Sequence, residues 1–350
     1  MNMEHEEFDR LGPDEIWDEL ESELDLFTVY ADESPDRDKG GEYRHIVGNG
    51  TEKARGARSV EVLVEALMKL RRKSVEDVGD ISGLARKHFR DVMKLEPLMM
   101  MPHEFSEEVM LVASVLERLC PDREWATHLG AFDQSTGMTG KALFEKVALT
   151  VMQRLGEPEY RKRRRRRLER ARRNFASGKQ YIAALFAKYR RLLVLRIDLH
   201  YRDGLAPERG YASKMPAKRL REDIGRMLNN ARSNKLFDGL VGHLGKVEQG
   251  TTRGFHAHMF FFFDGEVHWQ DAWLAKRLCA YWKSMTNGEG TSYPCNMNKN
   301  KYRRLGIGMI HRDDTQKRSV LLGCLAYVTK SEQYLRVNAG KGRNFFHGEA

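Results

Sequence analysis

Apolar positions along this 350-residue chain change period about halfway along it. Between residues 59 and 155 they recur at helical spacing. Val60, Val62, Leu63, Ala66, Leu67 and Leu70 share one face, and Val109, Leu111, Val112, Val115, Leu116 and Leu119 share another. Met99-Met100-Met101-Pro102 falls between the two stretches and separates helices. Beyond residue 190 alternation takes over. Leu195, Ile197 and Leu199 fall on one side of a strand, with Arg196, Asp198 and His200 on the other. Gly254 to Gly265 is an aromatic run closed by Asp264-Gly265, which predicts a buried strand ending in a turn. Helical patterns stand around 175–190, over 214–237 and 267–285, and from about Gln316 to Arg336. A basic loop from Asn298 to Arg304 leads to a short strand near Ile307–Ile310. The pattern is that of an α+β protein.

The aromatic strand carries the first candidate chemistry. Strand side chains alternate, so His256 and His258 share a face while Phe255, Ala257, Met259, Phe261 and Phe263 point the other way into a core. Two imidazoles about 7 Å apart along one face are placed to grip a metal ion. The residues between Glu248 and Gly254 read as a hairpin loop, with Gly250 available for positive φ. A hairpin centred on Thr252 sets Glu248 directly opposite His256, with Cβ atoms about 5 Å apart. Glu248, His256 and His258 would then form a two-histidine, one-carboxylate set. A register slip of one residue would turn Glu248 away. Asp198 or His200, on the polar face of the earlier strand, could adjoin the metal or orient a ligand.

Charge divides the chain. Residues 1–150 hold 19 Lys/Arg against 32 Asp/Glu, a net of −13, which leaves 41 against 18, a net of +23, in residues 151–350. So basic a second half points to a polyanion, of which nucleic acid is the commonest. The run from Arg161 to Arg173 holds ten basic residues and one acid. Without counter-charges such a run repels itself, and a phosphate backbone accounts for it. Arg161, Arg163, Arg164, Arg165, Arg166 and Arg167, with Arg253 of the hairpin loop, are the candidate DNA contacts. Cys120, Cys279, Cys295 and Cys324 have no CxxC spacing, which suggests neither a zinc knuckle nor a disulfide framework. The acidic N-terminus lacks a hydrophobic signal segment, and no apolar run approaches membrane-spanning length. The expectation is a protein of a reducing cytoplasm with no membrane partner.

The last predicted helix places Leu321, Leu325, Val328 and Leu335 on one side and Gly323, Tyr327, Lys330, Ser331 and Tyr334 on the other. Tyr327 and Lys330 are i, i+3 neighbours, as a fixed tyrosine nucleophile with a nearby cation requires. Tyr334 would stand about 10 Å further along the axis, suited to packing or to stacking on a base.

Taken in order, the strand from Val194 to Tyr201, His256-Ala257-His258 and Tyr327-Val-Thr-Lys330 resemble the three motifs of rolling-circle replication initiators of the HUH endonuclease class. Glu248 matches the carboxylate that completes the metal site in related viral initiators. The flanking text is most similar to inovirus-type replication proteins of filamentous phages and prophages. The resemblance covers roughly residues 175–345. It implies a C-terminal HUH-type domain with a central antiparallel sheet flanked by helices, preceded by a mostly helical region. It also implies a metal site of Glu248, His256 and His258 holding Mg²⁺ or Mn²⁺, with Tyr327 attacking DNA and Lys330 stabilising the phenolate or phosphate. The partners implied are single-stranded DNA or a replication origin, a host polymerase and, since no helicase segment follows, a host helicase. The expected organisation is an acidic leader and loop over 1–58, a helical accessory domain over 59–155, a basic linker or helix over 156–174 and a catalytic domain over 175–350. Other readings are a non-catalytic DNA-binding regulator, an HUH transposase or relaxase, and a two-histidine-carboxylate iron oxygenase. The basic half and the Tyr/Lys helix weigh against the oxygenase.

Overall fold

The computed structural model describes residues 59–71, 78–93, 104–202, 217–250, 254–329, 335–336 and 343–349, apart from 61, 122, 123, 135 and 303. The acidic leader and loop expected over 1–58 lie outside them. The described residues form two units, one running to Arg167 and including Leu335–Arg336, the other holding the remaining residues from Leu168 onward. No described helix is long and apolar enough to cross a membrane.

The first unit is helical: α1 (62–71), α2 (Val78–Met93), α3 (Glu107–Leu119), α4 (Gly140–Arg154) and the beginning of α5 (Pro158–Lys188). Two short antiparallel ladders join β1 (Glu104–Phe105) to β9 (Leu335–Arg336) and β2 (Phe132–Asp133) to β3 (Met138–Thr139). Leu63, Leu67, Phe89, Val112, Leu116, Phe144 and Val147 are core. Val60, Leu63, Val64 and Leu67 make the buried stripe near α1, whereas Val62, expected on it, is exposed. Ser106 caps α3, its hydroxyl accepting from Val109 N. Glu107 and Glu108 in the first turn suit the positive end of that helix.

Those two acids correct the view of the arginine run as lacking counter-charges. Arg164 Nε lies 3.6 Å from Glu108, Arg167 Nε lies 3.6 Å from Glu107, and Arg167 also pairs closely with Glu108. The spacing of α5 turns both arginines the same way, while Arg161, Arg163, Arg165 and Arg166 are exposed. The stretch expected as a basic linker and a separate helix is one continuous helix of 31 residues. Pro158 opens it, and Arg, Lys, Leu, Ala and Glu sustain it.

The second unit is built on one six-stranded antiparallel sheet. Its strands are β4 (Arg191–Tyr201), β5 (Leu240–Gly250), β6 (Gly254–Asp264), β7 (Gly290–Pro294), β8 (Gly308–His311) and β10 (Phe345–His347). The order is β10-β5-β6-β4-β7, with β8 also paired to β4. β8 covers Arg191–Val194 and β7 covers Ile197–Tyr201, so the two lie end to end along one edge of β4. The gap between them is closed by a side chain. Asn296 Oδ1 accepts from Arg196 N at 2.9 Å, and its Nδ2 donates to Val194 O at 3.0 Å. Buried backbone groups that a strand would have satisfied are thereby paired.

Helices cover both faces of the sheet. Leu192, Val194, Leu244, Phe260 and Phe262 pack under α5 and α8 (Thr315–Thr329). Leu193, Leu195, Ile197, Met259, Phe261 and Phe263 pack under α6 (Ala217–Asn230) and α7 (Asp271–Met285). Alternate residues of β6 therefore enter different cores, which explains an unbroken Phe260–Phe263 run. Phe261 is fully buried, and Phe261→Ala is expected to cost about 3–5 kcal/mol in denaturant unfolding.

Three helices are shorter than the sequence pattern suggests. The 214–237 helix stops at Asn230, and Asn234 instead caps a 3₁₀ turn over Lys235–Phe237, its side chain accepting from Leu236 N at 3.0 Å. The helix expected from 267 begins at Asp271, because Val267 N and His268 N bond back to Asp264 O. The last helix is described over Thr315–Thr329, with the Thr329 hydroxyl donating to Leu325 O at 2.8 Å, and Leu335–Arg336, expected within it, form a strand. Tyr334, which the sequence pattern set two turns beyond Tyr327, lies outside the described residues. α8 approaches α5 closely at Gly178, where a Cβ would stand 2.8 Å from Leu325 Cδ1. That approach lies two residues before Tyr327.

Candidate metal centre and active site

The hairpin joining β5 and β6 closes on Gly250 opposite Gly254, and its register sets Glu248 opposite His256 and Lys246 opposite His258. On the other side of β6, Asp198 of β4 also faces His258. Cross-strand partners share a face. Lys246, Glu248, His256, His258 and Asp198 therefore all project from the sheet face that α8 covers. One potential ligand atom each from Glu248, His256 and His258 lies within 4.8 Å of the others. The His256 and His258 rings are edge to face at 5.0 Å.

His258 is held at both nitrogens. Its Nδ1 donates to Asp198 Oδ1 at 2.7 Å, and its Nε2 lies 3.3 Å from Glu248 Oε2. With Nδ1–H committed to a carboxylate, Nε2 is the nitrogen turned to the cluster, the usual arrangement behind a metal-bound histidine. Burial opposes charge on His258, but Asp198 and Glu248 outweigh it and push the imidazole up to about 9. Burial would raise Glu248, yet His258, with Lys246 and His256, holds it down to about 2. Asp198 sits far below the usual carboxylate range, its burial outweighed by His258 and Arg196. Without metal, the centre is thus a proton held between two carboxylates.

Arg196 completes the inner wall. Its Nη2 stands 3.3 Å from His258 Nδ1 and its Nε 3.5 Å from Asp198 Oδ1. The guanidinium is 5.8 Å from both the Phe260 and Tyr327 ring centroids. Burial would lower its pKa, but Asp198 and other neighbouring acidic groups hold it above the ordinary arginine value. Tyr327, on α8, lies edge-on to His258 with ring centroids 6.4 Å apart.

Of the residues expected at this site, the structure gathers Glu248, His256, His258, Asp198 and Tyr327. His200 lies two residues beyond Asp198, outside the converging trio, and its carbonyl accepts from Trp282 Nε1 at 3.2 Å. Lys330, Tyr334 and Arg253 lie outside the described residues. Arg196 and Lys246 had no assigned role. Both share the face of assigned neighbours two residues away, and strand parity was the signal that could have found them. Asn296, which anchors β4 at Arg196 and also donates to Asp271 Oδ2 at 2.9 Å, had no local signal.

Residues 161–348 match the family model described as the YagK/YfjJ C-terminal domain. No curated protein and no solved structure matches the chain.

Proposed function

The chain belongs to the YagK/YfjJ C-terminal domain family, and since the matched region holds the entire candidate site, we propose that it is a metal-dependent DNA-nicking enzyme of the HUH type. Its role would be rolling-circle replication of a phage or prophage in the bacterial cytoplasm. The observation that carries this reading is one juxtaposition. Two imidazoles and a carboxylate converge on a sheet face, and the ring of Tyr327, on the helix covering that face, lies 6.4 Å from the His258 imidazole.

Glu248, His256 and His258 fit a divalent ion in number and kind, and Asp198 already selects the His258 tautomer that leaves Nε2 for it. Mg²⁺ or Mn²⁺ held there would supply Lewis-acid stabilisation of charge on the scissile phosphate. Imidazole ligands favour Mn²⁺ in affinity, whereas carboxylate suits either ion. The Tyr327 hydroxyl oxygen would attack phosphorus in line, forming a 5′-phosphotyrosine as the P–O3′ bond breaks. The phenol proton is matched by the one that the departing 3′ oxygen gains. The free 3′-OH can prime a polymerase, and reversal rejoins ends. Arg196 sets the Tyr327 ring against the Asp198–His258 pair, and Lys330 is assigned to the phenolate or phosphate. A nicking assay on single-stranded origin DNA tests the reading. Cleavage is expected with Mn²⁺ and none in EDTA, and equal cleavage in both would remove the metal from the reaction.

The charge on His258 gives a pH dependence. Folding raises its pKa from 6.5 to about 9, so in metal-free protein its stabilisation is complete below pH 6.5 and lost as pH rises through 9. Glu248, lowered from 4.5 to about 2, contributes above pH 4.5 and loses that contribution as pH falls through 2. The metal-free melting temperature is therefore expected to fall between about pH 7 and pH 9. A cation must displace the His258 proton, so the Mn²⁺-induced rise in Tm is expected to grow with pH over that window. Melting curves in EDTA and in Mn²⁺ check it. A Mn²⁺ shift independent of pH would contradict ligation through Nε2.

The exposed arginines of α5 are assigned to the DNA backbone. Arg163→Gln with Arg166→Gln is expected to weaken single-strand binding at every sequence and to lower the salt slope by about 0.7 for each phosphate no longer neutralised. Binding isotherms at several salt concentrations measure it. The same change at Arg164 and Arg167 is expected to lower thermal stability instead, because Glu107 and Glu108 would lose their arginine partners.

A further inference from the structure

We propose that Trp269 and Trp273, with Lys276 and Arg277, form a stacking platform for the unpaired bases of single-stranded DNA, on the sheet face opposite the metal cluster. Trp269 is 72 % exposed and Trp273 is 52 % exposed, although indoles ordinarily gain from burial. Their exposure is built in. α7 buries Leu274, Ala275, Leu278 and Trp282 against the sheet, so helical spacing turns Trp273, Lys276 and Arg277 outward. The turn carrying Trp269 is tied down, with Glu266 N and His268 N bonding to Asp264 and His268 Nε2 bonding to Asp238 O at 2.6 Å. An indole on a fixed turn loses little conformational freedom when it binds.

The surrounding charge selects the partner. The Arg277 guanidinium lies over the Trp273 ring at 4.9 Å, and Lys276 is exposed beside it. Two of the neighbouring acids are engaged elsewhere, Asp271 with Lys299 at 2.5 Å and Glu266 with Arg191 at 2.9 Å. The patch thus offers aromatic faces and uncompensated cations. That pairing suits bases and phosphates of a single strand. It suits an apolar protein surface poorly, because exposed Gln270, Lys276 and Arg277 interrupt its apolar area.

The test uses the full chain in EDTA, so its outcome does not depend on nicking. Labelled oligothymidine of about 20 nucleotides and a duplex of equal length are titrated against wild type, Trp269→Ala/Trp273→Ala and Trp269→Phe/Trp273→Phe. The alanine pair is expected to weaken single-strand binding by roughly tenfold or more and duplex binding by less than about twofold, with the phenylalanine pair restoring most of the loss. Saturating oligothymidine is expected to quench wild-type tryptophan emission. An unquenched wild type overturns the proposal without any variant. So does an equal loss on single strand and duplex, or unchanged single-strand affinity. If affinity is unchanged while the alanine pair abolishes a wild-type dimer, the patch belongs to a second copy of the chain and the proposal fails.

Discussion

His256→Ala or His258→Ala is expected to lower nicking by on the order of a thousandfold or more, while single-strand binding stays within a few-fold of wild type. The two effects separate because the cluster and the exposed arginines are different parts of the chain. Either substitution takes one of three donors from the set formed with Glu248. His258→Ala also strips Asp198 and Glu248 of the imidazole that offsets their burial, so it is expected to destabilise the fold more than His256→Ala. Asp198→Asn tests the support behind the ligand. The amide can present its NH₂ or its oxygen to Nδ1 but carries no charge, and a loss of about 10–100-fold in activity or metal affinity is expected. Initial nicking rates and isothermal titration with Mn²⁺ measure these losses. Full activity in either histidine variant would remove the metal centre from the account.

Tyr327→Phe is expected to abolish strand cleavage and the covalent DNA adduct while keeping both Mn²⁺ and DNA binding. Phenylalanine preserves the ring beside His258 and its approach to Arg196, and removes only the hydroxyl. The expected loss is of several orders of magnitude, on the scale seen when a nucleophile is deleted. Tyr334→Phe should leave the adduct intact. Residual cleavage above about a tenth of wild type in Tyr327→Phe would mean that another group attacks.

The heart of this site was legible because it rests on short-range geometry. The hairpin around Thr252 follows from its flanking glycines, and parity then fixes Glu248 opposite His256 without any knowledge of the rest of the fold. Asp198 was legible as a polar residue out of place in an apolar strand, though not that β6 would bring it to His258. What could not be read depends on residues distant in sequence. Glu107 and Glu108 neutralise arginines more than fifty residues away, and Asn296 closes the gap between β8 and β7 on the edge of β4, a hundred residues before it. The strand at Leu335–Arg336 escaped the pattern because Leu335 fits a helical stripe as well as a strand, and pairing with β1 decides which it joins. The two cores under β6 were legible as burial, not as separate layers.

The most direct test of the central claim is peptide mapping of the covalent species. Wild-type protein is incubated with single-stranded origin DNA in Mn²⁺ or EDTA, trimmed with nuclease and protease, and analysed by mass spectrometry. The account predicts a nucleotide on the peptide containing Tyr327, present with Mn²⁺ and absent in EDTA. Attachment at any other residue, attachment that survives EDTA, or cleavage with no adduct would contradict it.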